Sequence, residues 1–398
     1  MIERIAVENF KAIYKKVDFP VQPFTVFIGN NGTGKSSVIE ALRLLKLAAG
    51  RGLDKTFEEY GRLDKIRNYN SRIDNDSSKK INSPKIFSPL TIALTALVNE
   101  NKYEYEVRIN TSADGFYIVE SEKLTCNGGD VLVASITEDT SIGKAILYNS
   151  IYSQVAELDY TPNRLWLGYE RSYMSDELNE FADYVENWQF LYLNAHVMGQ
   201  PVLQEKLFRT PRLKDDGSNI ANYLLWIKSM GQEYIDSLIR KMRFVLPYID
   251  KLESHVLEGT KNPEVELLLY EKNKNREPLP GWLLSSGTLR VLALLAMFET
   301  PEKPSVLFID EIENGLDPRT IGLFLSEVEN VFDDKSMQVI LTTHSPYLLD
   351  LVSLENIIVV EKENEGSSFY LPNDEQGLKL WKEKFSSGKL YTMGKLTE

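Results

Sequence analysis

Residues 29–36 read Gly-Asn-Asn-Gly-Thr-Gly-Lys-Ser, a complete G-x-x-x-x-G-K-S phosphate loop. An apolar run precedes it, Phe24-Thr25-Val26-Phe27-Ile28, and Val38, Ile39, Leu42 and Leu45 follow at helical spacing. Strand, glycine-rich turn and helix in that order are the context such a loop requires. The glycines let backbone N–H groups close on phosphate oxygens. The helix start adds unpaired donors and the positive end of its dipole. Lys35 is expected to reach the β- and γ-phosphates and Ser36 to hold Mg²⁺. Asn30, Asn31, Gly32, Thr33, Gly34 and Ser37 complete the expected nucleotide contacts. A chance glycine-rich turn would need neither the Lys-Ser ending nor both flanks.

A chain of 398 residues is long for one core, so two or three lobes are expected. Its net charge of −13 argues against a protein that coats nucleic acid through Lys and Arg. The charge leaves room for a local basic groove on DNA but does not point to one. The basic clusters Lys206…Lys214 and Arg240-Lys241-Met242-Arg243 sit among acidic residues and read as solvated helix faces. Cys126 is the single cysteine, so no internal disulfide forms, and one cysteine with three histidines cannot build a Cys/His zinc site. The apolar stretch Val291–Phe298 is too short to span a bilayer, and Met1-Ile2-Glu3-Arg4 does not open a signal peptide. The expectation is a cytoplasmic protein with no membrane partner.

Apolar patterning places strands at 2–10 and 24–28, and a helix from the phosphate loop to about Ala49, stopped by Gly50 and Gly52. Residues 51–85 read as a polar surface loop. Leu90–Val98, Tyr103–Ile109, Phe116–Val119 and Val131–Ser135 alternate between turn residues, the mark of an antiparallel meander. Residues 140–250 read as helix-rich, with Leu178, Phe181, Tyr184, Val185 and Trp188 as a core stripe. Strands return at 264–270, 305–309, 339–343 and 357–360, the later ones apolar throughout as in a parallel sheet. The polar tail from 366 is expected to pack loosely. The expected division is 1–135, the N-terminal half of a nucleotide-binding head with its β meander; 136–260, a helical insertion; 261–365, the C-terminal half; and 366–398, a tail.

Four further features accompany the loop. Asp310-Glu311 ends the apolar strand 305–309, where an acid can hold Mg²⁺ (Asp310) and a second can polarise the attacking water (Glu311). Leu284-Ser285-Ser286-Gly287-Thr288 opens a helix, which suits either an anion site or a plain N-cap. Asn314-Gly315-Leu316-Asp317-Pro318 is a turn just after Glu311. His344 stands in Thr343-His344-Ser345-Pro346 at the carboxyl end of a strand, where open α/β sheets bind ligands.

With these elements the chain resembles the ABC/SMC-like branch of P-loop ATPases. More narrowly, it resembles the compact RecF-related AAA family ATPases of bacterial defence and overcoming-lysogenisation systems, without a fused nuclease after residue 365. The resemblance implies an α/β fold: an ABC-type P-loop ATPase head with an antiparallel β lobe, a helical insertion and no long coiled coil. It makes Leu284–Thr288 the signature loop, Gly315–Pro318 the D-loop with Asp317, and His344 the switch histidine. Lys11, in Asn9-Phe10-Lys11, matches the family's basic residue near the nucleotide. The stretch Tyr192–Pro201 resembles a family segment but has Val197 where Arg is common. The Q-loop glutamine stays open between Gln200, Gln154 and Gln189.

In this branch two heads sandwich two ATP molecules, so Ser285 and Gly287 would complete the γ-phosphate site of another chain. The resemblance therefore implies an Mg²⁺-dependent ATP hydrolase. It would form a homo-oligomer of head dimers and control a separate effector encoded nearby, a nuclease or toxin in antiphage defence. The alternative is a RecF-like recombination or repair ATPase binding DNA directly. A transporter subunit fits less well, because its signature is usually Leu-Ser-Gly-Gly-Gln. A non-hydrolysing scaffold that uses ATP as glue is a fourth reading.

Overall fold

The computed structural model describes residues 1–73, 86–112, 114–136, 142–148, 156–169, 171, 175–204, 212–257, 262–272, 277–300, 302–333, 337–363, 366–372 and 386–394. Lys206, Gln154 and the tail acids Asp374 and Glu375 lie outside them.

The chain opens with β1 (Ile2–Glu8), β2 (Val17–Pro20) and β3 (Phe24–Ile28). Helix α1 (Lys35–Arg51) runs past its expected end, and Gly52 rather than Gly50 caps it. Residues expected to be a surface loop instead form α2 (Leu53–Tyr60) and α3 (Leu63–Ile66). Their few apolar side chains, Leu53, Phe57, Leu63 and Ile66, are all buried. So narrow a stripe is hard to read in a polar segment, and tertiary packing supplies the stability that short helices lack.

A two-strand pair, β4 (Arg72–Ile73) and β5 (Ile86–Phe87), leads into the meander β6 (Leu90–Val98), β7 (Asn101–Thr111), β8 (Tyr117–Cys126) and β9 (Gly129–Ile136). The meander continues through β10 (Gly143–Leu147) and β11 (Ala156–Tyr160), where helix was expected. Then come α4 (Asp176–Glu186), β12 (Trp188–Leu191), α5 (Ala195–Met198), β13 (Val202–Leu203), α6 (Ile220–Met230) and α7 (Gln232–Val245). Next are β14 (Ile249–Leu257), β15 (Glu264–Glu271), β16 (Leu279–Pro280), α8 (Ser286–Glu299), β17 (Val306–Ile309) and α9 (Pro318–Asp333). The chain closes with β18 (Gln338–Thr342), α10 (Pro346–Asp350), β19 (Ile357–Glu363), β20 (Gly366–Tyr370) and α11 (Ser387–Thr392). The start of the supposed loose tail is thus a strand. Phe369 on β20 stacks on Phe19 with ring centroids 4.7 Å apart, which gives this polar pentapeptide an apolar anchor.

Two compact units emerge. The first comprises Met1–Trp188, Ser353–Phe385 and Met393–Glu398; the second comprises Gln189–Val352 and Ser386–Thr392. In the first unit an eight-stranded antiparallel sheet has the order β11-β10-β9-β8-β7-β6-β1-β2. Along β7 the buried residues Tyr103, Tyr105, Val107 and Ile109 alternate with exposed Lys102, Glu104, Glu106 and Arg108, the period of a half-buried strand. The stripe residues Leu178, Phe181, Tyr184, Val185 and Trp188 are buried as core, and Phe181 lies 5.4 Å from both Tyr103 and Tyr105. The same unit pairs β3 in parallel with β19, and β19 antiparallel with β20. In the second unit β17 and β18 run parallel, Phe308 opposite Ile340, beside β12. A smaller antiparallel sheet joins β13, β15 and β14, with β16 on β15. The longest helix among the described residues is α1, at 17 residues, so no coiled-coil arm extends from them.

Candidate functional site

The phosphate-loop residues lie together in the first unit. Strand β3 is buried at every position and delivers the chain to Gly29. Asn30, Asn31 and Gly32 are exposed, Thr33, Gly34 and Lys35 buried, Ser36 half-buried and Ser37 buried. The Lys35 ammonium arches back over the loop, donating to the carbonyls of Gly29 (2.8 Å) and Asn30 (3.0 Å). Thr33 closes the turn with its hydroxyl on the Asn30 carbonyl at 2.9 Å. Gly34 sits at φ 116°, and a Cβ there would approach the Ser367 hydroxyl to 2.9 Å, so only glycine fits. No side chain caps the N-terminus of α1, and among the described residues no protein acceptor takes the Gly32 or Gly34 amide. An uncapped helix start, amides that no protein acceptor takes among the described residues and a buried ammonium form a donor set that fits phosphate oxygens.

Lys11 lies beside this region but faces another partner. Its ammonium pairs with Glu40 on α1, its amide donates to the Ile66 carbonyl at 2.7 Å, and its φ is 47°.

The second unit gathers the acidic residues and His344. Asp310 follows β17, and its Oδ1 accepts from the Thr342 hydroxyl at the end of β18 at 2.7 Å. The Glu311 amide donates to that same hydroxyl oxygen at 2.8 Å. Thr342 thereby holds two successive acidic residues at once. Glu311 adopts φ 50°, a left-handed backbone that costs a non-glycine residue stability and persists only where neighbours enforce it. Its Oε2 also accepts from the side-chain Nδ2 of Asn314 at 2.5 Å. One turn on, Glu313 accepts from the Thr343 hydroxyl at 2.8 Å and from the His344 amide. The loop after β17 and the loop after β18 are therefore tied by two carboxylates and two threonines. Thr342, Thr343 and Glu313 escaped the reading of the sequence. The signals were a hydroxyl pair just before His344 and an acid two residues beyond Glu311.

The segments Leu284–Thr288 and Asn314–Pro318 also meet in this unit. Ser285 caps α8, its Oγ accepting from the Thr288 amide at 3.1 Å, and Ser285 and Ser286 are exposed. The plain N-cap role is therefore filled, and the helix start remains open to solvent. A Cβ at Gly287 would come within 2.8 Å of the Gly315 carbonyl, so glycine is what lets the two turns touch. Arg290 reinforces the contact by donating to the Asn314 carbonyl at 2.7 Å. Asp317 caps α9, accepting from the Arg319 amide at 2.9 Å and from the Thr320 hydroxyl at 2.9 Å. Burial pushes the Asp317 pKa up, but the Thr320 hydroxyl and the Arg319 and Thr320 amides outweigh it and hold the carboxyl below its ordinary value.

Among the glutamines, Gln189 is buried and spends its amide on the carbonyls of Phe190 and Leu213, each at 2.9 Å. Gln200 is exposed. Oxygen donors suit Mg²⁺, and the hydroxyl of Ser36 and the carboxylate of Asp310 are of that kind. Among the described residues no group of three or more His, Cys, Asp or Glu forms a metal cluster.

Comparison with known proteins agrees with this geometry from both ends of the chain. Residues 1–125 match the family described as "AAA ATPase domain", and residues 179–350 match the family described as "AAA domain, putative AbiEii toxin, Type IV TA system". No curated protein matches the chain. Among solved structures it is similar to an Smc head bound to the C-winged helix domain of ScpA: 16% identity, 93% of this chain and 96% of that one covered, TM-score 0.53. It is also similar to an Smc head with an extended coiled coil bound to the C-terminal domain of ScpA, derived from Pyrococcus furiosus: 14% identity, 96% and 98% covered, TM-score 0.51. The fold is that of an ABC-type P-loop ATPase head.

Proposed function

We propose that this ABC/SMC-like P-loop ATPase joins two of its heads around Mg²⁺-ATP and so controls a separate effector, a nuclease or toxin, in a bacterial antiphage defence system. The observation that carries the reading is the exposed start of α8. Ser285 and Ser286 face solvent on a helix N-terminus that Gly287, Gly315 and Arg290 brace firmly against the D-loop. A rigid, open anion site of this kind suits phosphates brought by another chain. The family matched by residues 179–350 is described by a toxin–antitoxin system, and the Smc heads similar to this chain carry a partner protein, ScpA. The family description fits a toxin–antitoxin or defence setting, and the ScpA-bound heads fit an ATPase that carries a companion protein.

Lys35 and the loop amides 30–36 bind and orient the triphosphate, with Ser37 behind them and Lys11 at its flank. Ser36 and Asp310 would hold Mg²⁺, which would supply positive charge to offset that of the bound triphosphate. Glu311, held in its left-handed conformation, accepts the proton of the attacking water. His344 would act as the residue that contacts the γ-phosphate, and Ser285, Gly287 and Asp317 of a second head would close the site against solvent.

The test is mass measurement on Glu311→Gln, with ATP and with the protein encoded beside this one. The expected results are a doubled mass with ATP and co-elution of the neighbour that depends on nucleotide. A monomer with ATP bound, or co-elution indifferent to nucleotide, would contradict the proposal.

A further inference from the structure

We infer that Ser367 on β20 is a positioning residue of the phosphate loop, turning the Thr33–Gly34 peptide so that the Gly34 amide faces the triphosphate. This rests on reading residues 29–36 as the site of ATP phosphates. Ser367 belongs to none of the nucleotide motifs and lies 334 residues along the chain from Thr33. Its hydroxyl donates to the Thr33 carbonyl at 2.5 Å; the Ala12 carbonyl, at 3.3 Å, is the more distant acceptor.

The consequence follows from the planarity of the peptide. In a trans peptide the C=O and the next N–H point in opposite directions. With the Thr33 carbonyl pinned toward β20, the Gly34 N–H is aimed away from that strand. Among the described residues no protein acceptor takes it. Gly34 at φ 116° is also the pliable point of the loop, because a residue without Cβ resists a peptide flip only weakly. A flipped 33–34 peptide would turn a carbonyl oxygen toward phosphate and replace an attraction with a repulsion. One hydroxyl anchor on the carbonyl side prevents that.

The anchor is itself firmly placed. Ser367 sits opposite Lys362 in the β19–β20 ladder, and β19 runs parallel to β3, the strand that feeds the loop. Two residues on, Phe369 stacks against Phe19. Ser367 also fills the space that a side chain at position 34 would need. The loop and its brace are therefore built on one run of strands, with the register fixed by pairing.

The experiment compares Ser367→Ala, Ser368→Ala and Lys35→Ala in the full-length chain, measuring ATP affinity by calorimetry and turnover at saturating ATP. Ser368 is the control, because its buried hydroxyl has no hydrogen-bond partner. Loss of one oriented donor is expected to weaken ATP binding about tenfold in Ser367→Ala, with a matching rise in KM and kcat within about twofold. Ser368→Ala should bind as the unaltered protein does. Unchanged affinity in Ser367→Ala overturns the inference. So does a fall in kcat at constant affinity, or an equal loss in Ser368→Ala, because each marks a general weakening of β20. Wild-type ATP affinity in Lys35→Ala would instead overturn the phosphate-loop reading itself.

Discussion

Thr342 offers the sharpest perturbation of the acidic half-site. It is fully buried, donates to the Asp310 carboxylate and accepts the Glu311 amide. Thr342→Val keeps the shape and removes both bonds. A hydrogen bond to a charged group contributes about 1.5–3 kcal/mol, and an orphaned amide costs about 1–3 kcal/mol more. The two losses share one atom and do not add fully, so about 3 kcal/mol is the working figure. At roughly 2–4 °C per kcal/mol for a unit of this size, the melting temperature falls by about 6–12 °C. Activity should fall further than stability alone explains. The left-handed backbone of Glu311 holds about 1–3 kcal/mol of strain, and Thr342 is one of the contacts enforcing it. Once released, Glu311 relaxes and its carboxylate leaves the position from which it would act. The kcat should then drop at least about tenfold, within the range that general-base catalysis supplies. Scanning calorimetry and steady-state ATP turnover measure both effects, with Thr342→Ser, which retains the hydroxyl, close to wild type in kcat. A Thr342→Val protein that melts within about 1 °C of wild type and turns over ATP normally would refute the bridging role.

Two further predictions concern buried charge. Glu122 is fully buried, and burial raises its pKa from 4.5 to about 7 despite hydrogen bonds from the Trp166 amide, the Tyr105 hydroxyl and the Leu167 amide. The folded state therefore holds a proton that the unfolded state releases, so Glu122 lowers stability as pH rises from 4.5 to 7, by about 3 kcal/mol at the end of that window. In urea titrations at pH 5 and pH 7.5, Glu122→Gln should show a flatter pH dependence than wild type; parallel curves would contradict this. Lys241 is paired with both Glu299 and Glu327, whose side chains are only 10% and 7% exposed. Lys241→Met should destabilise by about 3–5 kcal/mol in chemical denaturation, because two buried carboxylates lose their cation. Adding Glu299→Gln and Glu327→Gln should recover most of the loss, and failure to do so would point to packing.

The parts of the fold legible in the sequence are those whose signal is local. Phe24–Ile28 and Leu90–Val98 form as read, because an unbroken apolar run and a bounded strand pattern need no knowledge of partners. The strand β14 was invisible. Its residues Ile249–Leu257 carry Asp, Lys, Glu and His, and burial does not alternate along it, so pairing with β15 makes the strand. β20 was missed for a similar reason, since Gly-Ser-Ser-Phe-Tyr becomes a strand through β19 and Phe19. The candidate site divides in the same way. Lys35, Asp310, Glu311 and Ser285 announce themselves by spacing. Thr342, Glu313 and Ser367 act through contacts that lie 30 to 334 residues away in sequence, so the local residues beside His344 and Glu311 hint at the first two without naming their partners, and nothing local marks Ser367.

If one head completes the site of another, mixing two variants that are each inactive restores ATP turnover. Lys35→Ala keeps an intact signature loop, and Ser285→Arg keeps an intact phosphate loop. Each alone should hydrolyse no ATP above background. Mixed in equal amounts, half of the dimers pair unlike chains and carry one intact composite site of two, so about a quarter of wild-type activity should return. An equimolar mixture as inactive as its components would contradict a site shared between two copies of this chain.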